Sequence, residues 1–250
     1  MGNYKHIQDK LNNNKIVILD GAIGSELEKR GATMDKIGWC APASITHPSV
    51  LEGIHKDYIK AGADIITTNT FSSARHVLEH SSYKNLTVEI NEKAMECALA
   101  AKKHYSDNKI AIAGSLSLSL VADILEDKEH SLNFRSESYE NFSPDILLKN
   151  FEEQISIFKK YNIDLIILEM IINPSICKPA VEAALASGLP VWLGLSCGDI
   201  SNKGNLFAFE SNKMKFSETL KMINENFDAI LLMHSEVKNT SKGLEEIKKN

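Results

Sequence analysis

No stretch of this 250-residue sequence is apolar for long enough to cross a bilayer. Its longest apolar runs, such as Leu165–Leu168 with Ile163 before them, fall far short of the roughly 20 residues a membrane helix takes. A signal peptide is not written at the start either. Met1-Gly2-Asn3-Tyr4-Lys5 leads into no apolar core, and His6 stands where a myristoylation signal wants Ser or Thr. Positive charge is not in excess: 28 Lys and Arg face 33 Asp and Glu, a formal net charge of −5. Nucleic acid and anionic membrane are therefore poor partners for the chain. Cysteine is scarce. Cys40, Cys97, Cys177 and Cys197 form no CxxC pair and no disulfide-framework spacing. Reduced thiols in a cytoplasmic protein are expected, with Cys97 as helix filling. No low-complexity tract or linker divides the chain, so residues 1–250 are expected to form a single domain.

What is present is a repeat of short apolar runs and amphipathic stretches. Six runs read as strands: 15–20, 63–70, 109–115, 163–169, 190–197 and 227–234. Their near-continuous apolar character suits parallel strands covered on both faces. Between them lie helices. One follows His47-Pro48, carries Val50, Ile54 and Tyr58 on one face, and is closed by Gly62. Another opens at Ser143-Pro144, a capping residue before a first-turn proline, with Leu147, Phe151, Ile155 and Phe158 on one side and Asn162 after it. A third runs from Glu92 to Lys103, and a sixth-unit helix from Ser241 to Lys249. The polar segment 117–143 is expected to lie over the mouth of a site. No antiparallel hairpin signal is evident, so a right-handed βα wind is expected.

An open doubly wound sheet and a closed barrel both fit this alternation. The strand ends favour the barrel. Asp20, Thr68–Thr70, Ser115, Glu169, Cys197 and His234 each close a run with a polar or small residue. A barrel gathers its site from many strand ends, whereas an open sheet concentrates it at one switch point.

Two motifs are long and ordered: Asp20-Gly21-Ala22-Ile23-Gly24-Ser25-Glu26-Leu27 and Ala61-Gly62-Ala63-Asp64-Ile65-Ile66-Thr67-Thr68-Asn69-Thr70-Phe71. Trp39 and His47-Pro48 stand between them, and Ala113-Gly114-Ser115 and Leu168-Glu169 follow. Together they resemble the homocysteine S-methyltransferase family, from about residue 15 to the end. The resemblance implies a (β/α)8 TIM-type barrel that moves a methyl group from a small sulfonium or ammonium donor to the thiol of homocysteine, giving methionine. S-methylmethionine, S-adenosylmethionine and betaine are the expected donors. It also implies zinc on the sulfur, because a metal-bound thiolate is a strong nucleophile near neutral pH. Asp20 and Glu169 are then the acceptors for the amino group, and two buried acids in one cavity call for a cation between them. Thr68 and the backbone around Gly21, Ala22 and Ser115 are candidates for the carboxylate, and Trp39 for a pocket wall.

The sequence departs from that pattern in three places. The family's zinc ligands are three cysteines, one closing the sixth strand and two adjacent ones closing the eighth. Here His234 stands at the first position, and no Gly-Gly-Cys-Cys follows. Six βα units cannot close an eight-strand barrel and leave edges on the first and sixth strands. The expectation is a barrel lacking its last two units, either part of a longer product or a short form completed by self-association. Cys197, His234 and Glu169 close neighbouring strands and form an alternative zinc set. Ser115-Leu116-Ser117-Leu118 stands where many relatives have Gly-Pro, which alters the mouth of the pocket.

Other readings compete. A metal-free relative that binds the amino acid without methyl transfer keeps the same pocket. A Schiff-base aldolase needs a lysine, and none of the six strand ends carries one. Gly21-Ala22-Ile23-Gly24 lacks the third glycine of a dinucleotide fingerprint and the Lys-Ser/Thr of a phosphate loop.

Overall fold

The computed structural model describes residues 3–105, 109–118, 143–201, 204–209, 211, 213–221 and 226–249. Most of the polar segment 117–143 lies outside the described residues. Five strands form one parallel sheet in the order β1 (Ile65–Thr67), β2 (Ala111–Ser117), β3 (Leu165–Ile171), β4 (Val191–Leu195) and β7 (Ala229–Leu232). Each lies within or overlaps an expected run. The sheet is curled, and with its outer helices it forms an arc of a (β/α)8-type barrel. Ile65, Ala111, Ala113, Leu165, Ile167 and Trp192 pack together on the inner face. Ile66, Ile112, Ile166, Leu168, Val191 and Leu193 join the larger outer cluster, with Phe151 and Phe158 of α7 (Pro144–Lys160). Both faces are buried, which is why the runs read as continuous rather than alternating.

A repeated device sets the strand starts. Asp64, Asp164 and Asp228 each stand immediately before a strand. Their backbone N–H groups donate to the carbonyls of Ile18, Ile112 and Val191 on the neighbouring segment, at 2.7, 2.9 and 2.8 Å. Their carboxylates accept the N–H of those same residues at 2.9, 2.9 and 2.8 Å. Each Asp thus locks its strand to its neighbour in both directions.

Three elements depart from expectation. The run 15–20 forms only a bridge, Leu19 with Ile65. Val17 and Leu19 pack against the inner cluster, but Ile16 and Ile18 are 81% and 51% exposed. The segment has one strand neighbour among the described residues, so half of its apolar surface stays uncovered. The run 190–197 splits: β4 ends at Leu195, and Cys197 opens an antiparallel hairpin of β5 (Cys197–Ile200) and β6 (Leu206–Ala208). Its turn uses Gly204 at φ +80°, a conformation open to glycine. Among the described residues, three helices of seven residues or more are not foreseen, namely α1 (Tyr4–Asn12), α2 (Ile23–Lys29) and α8 (Pro174–Ala186). At the start of α7, Pro144 takes the first turn, but the Ser143 side chain makes no capping bond. Gly62 at φ +103° and Asn162 at φ +52° close their helices in the left-handed conformation.

Candidate active site at the strand ends

A cavity of about 460 Å³ opens beyond the carboxyl ends of the strands, the face where barrels of this type build their sites. Asp20, Gly21, Ala22, Trp39, Thr68, Glu169 and His234 all line it, as do Cys40, Thr67, Asn69 and Phe71. Its apolar floor includes Leu19, Ile167 and Leu231.

Asp20 is held by one residue. The Thr67 N–H donates to its Oδ2 at 2.7 Å and the Thr67 hydroxyl to its Oδ1 at 2.9 Å. Burial nevertheless pushes its pKa up to about 7, with the nearby Glu169 acting in the same direction. The two carboxyl groups are close enough to repel each other, so a bound cation would stabilise both.

Glu169 is aimed by an irregularity. The register of β3 against β4 shifts between Leu168 and Ile171, and Met170 sits at φ +59°. Such a bulge turns a side chain out of its expected place. The Glu169 Oε2 lies 3.6 Å from His234 Nε2. The His234 ring stacks on Phe71, with centroids 5.5 Å apart and planes 23° from parallel. Phe71 in turn meets Trp39 edge-on at 6.1 Å. An aromatic row therefore runs along the cavity to the acid.

The loop bearing Trp39 is fixed by Asp35, which accepts the Ile37 and Gly38 N–H groups and donates its own N–H to the Trp39 carbonyl. Asn69 ties the loop to the strand end by donating to the Cys40 carbonyl and the Ser44 hydroxyl. Two glycines are dictated by contact. A Cβ on Gly24 would lie 2.4 Å from the Trp39 ring, and one on Gly21 would lie 2.8 Å from the Tyr58 hydroxyl.

The polar groups near Thr68 are largely committed to one another. The Ser115 N–H reaches Thr68 Oγ1 at 3.4 Å, Thr68 pairs with Thr70 at 2.9 Å, and Thr70 donates to the Ser115 carbonyl at 2.7 Å. Ser115 is 1% exposed and is not among the lining residues, so its N–H serves the ring of bonds rather than the cavity.

The alternative zinc set is not assembled. Cys197 is buried by the hairpin that begins there. Its Sγ lies 4.0 Å from the Asn239 carbonyl in α10 (Val237–Ile247), and its N–H donates to Ser235. It borders a separate cavity of about 340 Å³. Among the described residues no three His, Cys, Asp or Glu side chains gather as metal ligands. Cys40 does line the main cavity, but burial pushes its thiol pKa up to about 12. The donor set present, His234 with Glu169, is short of the three protein ligands of a catalytic zinc.

The sequence reading passed over Thr67, Cys40, Asn69 and Phe71. Thr67, Asn69 and Phe71 stand in the second long motif, and Cys40 directly follows Trp39. What they hold or touch was not legible there.

Comparison with known proteins bears on the fold and the family. The family model for homocysteine S-methyltransferase matches residues 17–247. Betaine–homocysteine S-methyltransferase 1 of Bos taurus is 27% identical over 247 residues, covering 96% of this chain and 56% of its own length. The same enzyme of Sus scrofa is 30% identical over 188 residues, 75% of this chain and 62% of its own length. The chain thus spans little more than half the length of these curated relatives. The metallated homocysteine methyltransferase MmuM from Escherichia coli is similar with a TM-score of 0.74 at 18% identity, over 96% of this chain and 82% of that one, a likeness of fold. By the span of the family match, this chain belongs to the homocysteine S-methyltransferase family.

Proposed function

We propose that the cavity holds homocysteine, and that the protein transfers a methyl group from a small onium donor to its thiol, giving methionine. The observation that carries this reading is the pair of acids: Asp20, raised to about pKa 7, faces Glu169 in one cavity. An amino acid's ammonium between them relieves the burial cost that each charge otherwise bears. In this reading Gly21 and Ala22 offer backbone donors to the substrate carboxylate, Thr68 shapes the wall beside them, and Trp39 with Phe71 covers the apolar stem. Ser115 supports Thr68. The donor is betaine, S-methylmethionine or S-adenosylmethionine, all of which carry the methyl on a cationic centre. What these residues contribute is positioning, which makes the attack effectively unimolecular. Zinc dependence enters through the family alone, since the described residues offer an incomplete ligand set. We further read residues 1–250 as one barrel-type domain of a cytoplasmic protein, with self-association through the uncovered edge at Ile16 and Ile18.

Calorimetric titration with homocysteine, combined with a methyl-transfer assay using each donor, tests the reading. Asp20→Asn is expected to weaken homocysteine binding by roughly 10- to 100-fold, the value of a charge-assisted contact. Wild-type affinity is expected to fall as pH drops below about 7, because protonated Asp20 no longer attracts the ammonium. Absence of homocysteine binding at any pH overturns the reading. Binding without turnover from any donor would instead favour the metal-free amino-acid binder.

A further inference from the structure

We infer, on the reading of the cavity as an amino-acid pocket, that the bulge in β3, seated against Gly194 of β4, fits the site to a free α-amino group. Met170 and Gly194 are then positioning residues for Glu169, and neither lines the cavity itself.

The pairing defines the bulge. Leu168 stands opposite Leu193 and Ile171 opposite Leu195, so Glu169 and Met170 together face the single residue Gly194. The ladder resumes beyond it, where the Ser196 N–H reaches the Ile171 carbonyl at 3.4 Å. The extra residue changes what the end of β3 presents. Ile167 belongs to the inner cluster and Leu168 to the outer one. Strict alternation would turn Glu169 inward, Met170 outward and Ile171 inward again. Ile171 instead joins the outer cluster, fully buried. Of β3, Ile167 and Glu169 line the cavity and Ile171 does not. The bulge thus keeps an apolar side chain from standing over the acid.

Two residues hold this geometry. Met170 takes φ +59°, a conformation uncommon for methionine and resisted most by β-branched residues. Gly194 lies on the inner side of β4, since Leu193 and Leu195 join the outer cluster and Trp192 the inner one. A Cβ on Gly194 would stand 2.6 Å from the Leu168 carbonyl oxygen, and 2.5 and 2.7 Å from Met233 Cε and Sδ. The tip of Met233 can swing aside. The Leu168 carbonyl cannot, because it is backbone bonded directly to the Glu169 nitrogen. A side chain at position 194 therefore displaces the acid, and glycine is the residue for so close a backbone approach.

The consequence for recognition is selective. Asp20 is pinned by two bonds from Thr67, at 2.7 and 2.9 Å. Glu169 has His234 Nε2 at 3.6 Å from Oε2, a looser hold, so its place depends on the backbone beneath it. An ammonium meets both acids only when their separation matches it. A ligand without the amino group makes no use of Glu169 and is blind to a shift of that side chain.

The test compares homocysteine with 4-sulfanylbutanoate, which lacks only the amino group. Both are titrated calorimetrically into the full chain at about pH 8, where Asp20 is ionised. Wild type is expected to prefer homocysteine by roughly tenfold or more, the value of a charge-assisted contact. Gly194→Ala is expected to bring that preference to within about threefold while 4-sulfanylbutanoate binds as before. Met170→Val is expected to do the same. Met170→Gly, which accepts the left-handed backbone, is expected to keep the wild-type preference. Looser packing alone weakens both ligands together and leaves their ratio unchanged. A wild-type ratio in folded Gly194→Ala or Met170→Val therefore overturns the proposal, as does a preference lost equally in Met170→Gly. If Gly194→Ala does not fold, Met170→Val against Met170→Gly still decides. Wild type that binds neither ligand, or both alike, overturns the reading of the acid pair as well.

Discussion

Between about pH 4 and pH 7 the carboxyl of Asp20 keeps its proton in the folded protein but has lost it in the unfolded chain, because burial raises its pKa from 3.8 to about 7. The unfolded state then binds fewer protons, so this residue makes stability fall as pH rises through that window. His55 acts in the opposite direction. It is fully buried in α4 (Pro48–Lys60), its ring nitrogens have no hydrogen-bond partner among the described residues, and burial lowers its pKa from 6.5 to about 4. Its contribution is present above pH 6.5 and is lost as pH falls toward 4. His76, lowered to about 3, adds to the His55 trend. Denaturant unfolding at a series of pH values separates these terms. Relative to wild type, Asp20→Asn should make stability climb more steeply with pH between about 4 and 6.5, and His55→Leu should make it climb less or fall. Identical slopes in the two variants would contradict both assignments. Asp20 and Glu169 were legible as candidates, because each ends an apolar run with an acid, and both line the cavity. The pKa of Asp20 was not, since it depends on depth and on a neighbour 149 positions away.

At the scale of elements, the strands were readable wherever both faces are covered, as in 109–115 and 163–169, where composition alone signals burial. The run 15–20 has the same composition but one strand neighbour among the described residues, so an apolar run did not become a strand. The bulge at Glu169-Met170 and the hairpin after Leu195 went unseen, because a register shift leaves no periodic trace. The three strand-start aspartates did leave one, an acid directly before an apolar run, though their two-way bonds appear only in the fold. Asp164 bears the most: it accepts the Ile112 N–H, the Asn3 N–H and the Lys102 ammonium. Asp164→Ala leaves two buried or half-buried N–H groups and a cation without their acceptor. A loss of about 2–5 kcal/mol in unfolding free energy is expected, measurable by chemical denaturation. A loss under about 0.5 kcal/mol would show that the clamp does not set the register.

At the scale of the whole molecule, the parallel sheet of the described residues runs from the bridge at the 15–20 segment to β7. All four residues of β7 are only partly buried, Val237 beyond it is 90% exposed, and Ile16 is 81% exposed. Open edges with apolar flanks pair with whatever chain they meet. Sedimentation velocity should therefore show association that grows with concentration, and Ile16→Lys with Ile18→Lys should suppress it without altering the far-ultraviolet spectrum. A monomer at all concentrations would exclude edge pairing by this segment.

The opposite end of the inner face is closed by α1. Ile7 is fully buried among the inner strand residues, the Trp192 indole donates to the Tyr4 hydroxyl, and the Asn3 N–H reaches Asp164. These last two contacts span 188 and 161 positions. On the ribosome, then, the helix made early must wait for a seat made much later. At ordinary rates of synthesis the delay is on the order of ten seconds or more. During that time Ile7 has no barrel to enter, and the newborn chain carries an amphipathic segment open to chaperones. Refolding of a finished chain has no such wait, so the two routes to the same fold should differ most in how this helix arrives.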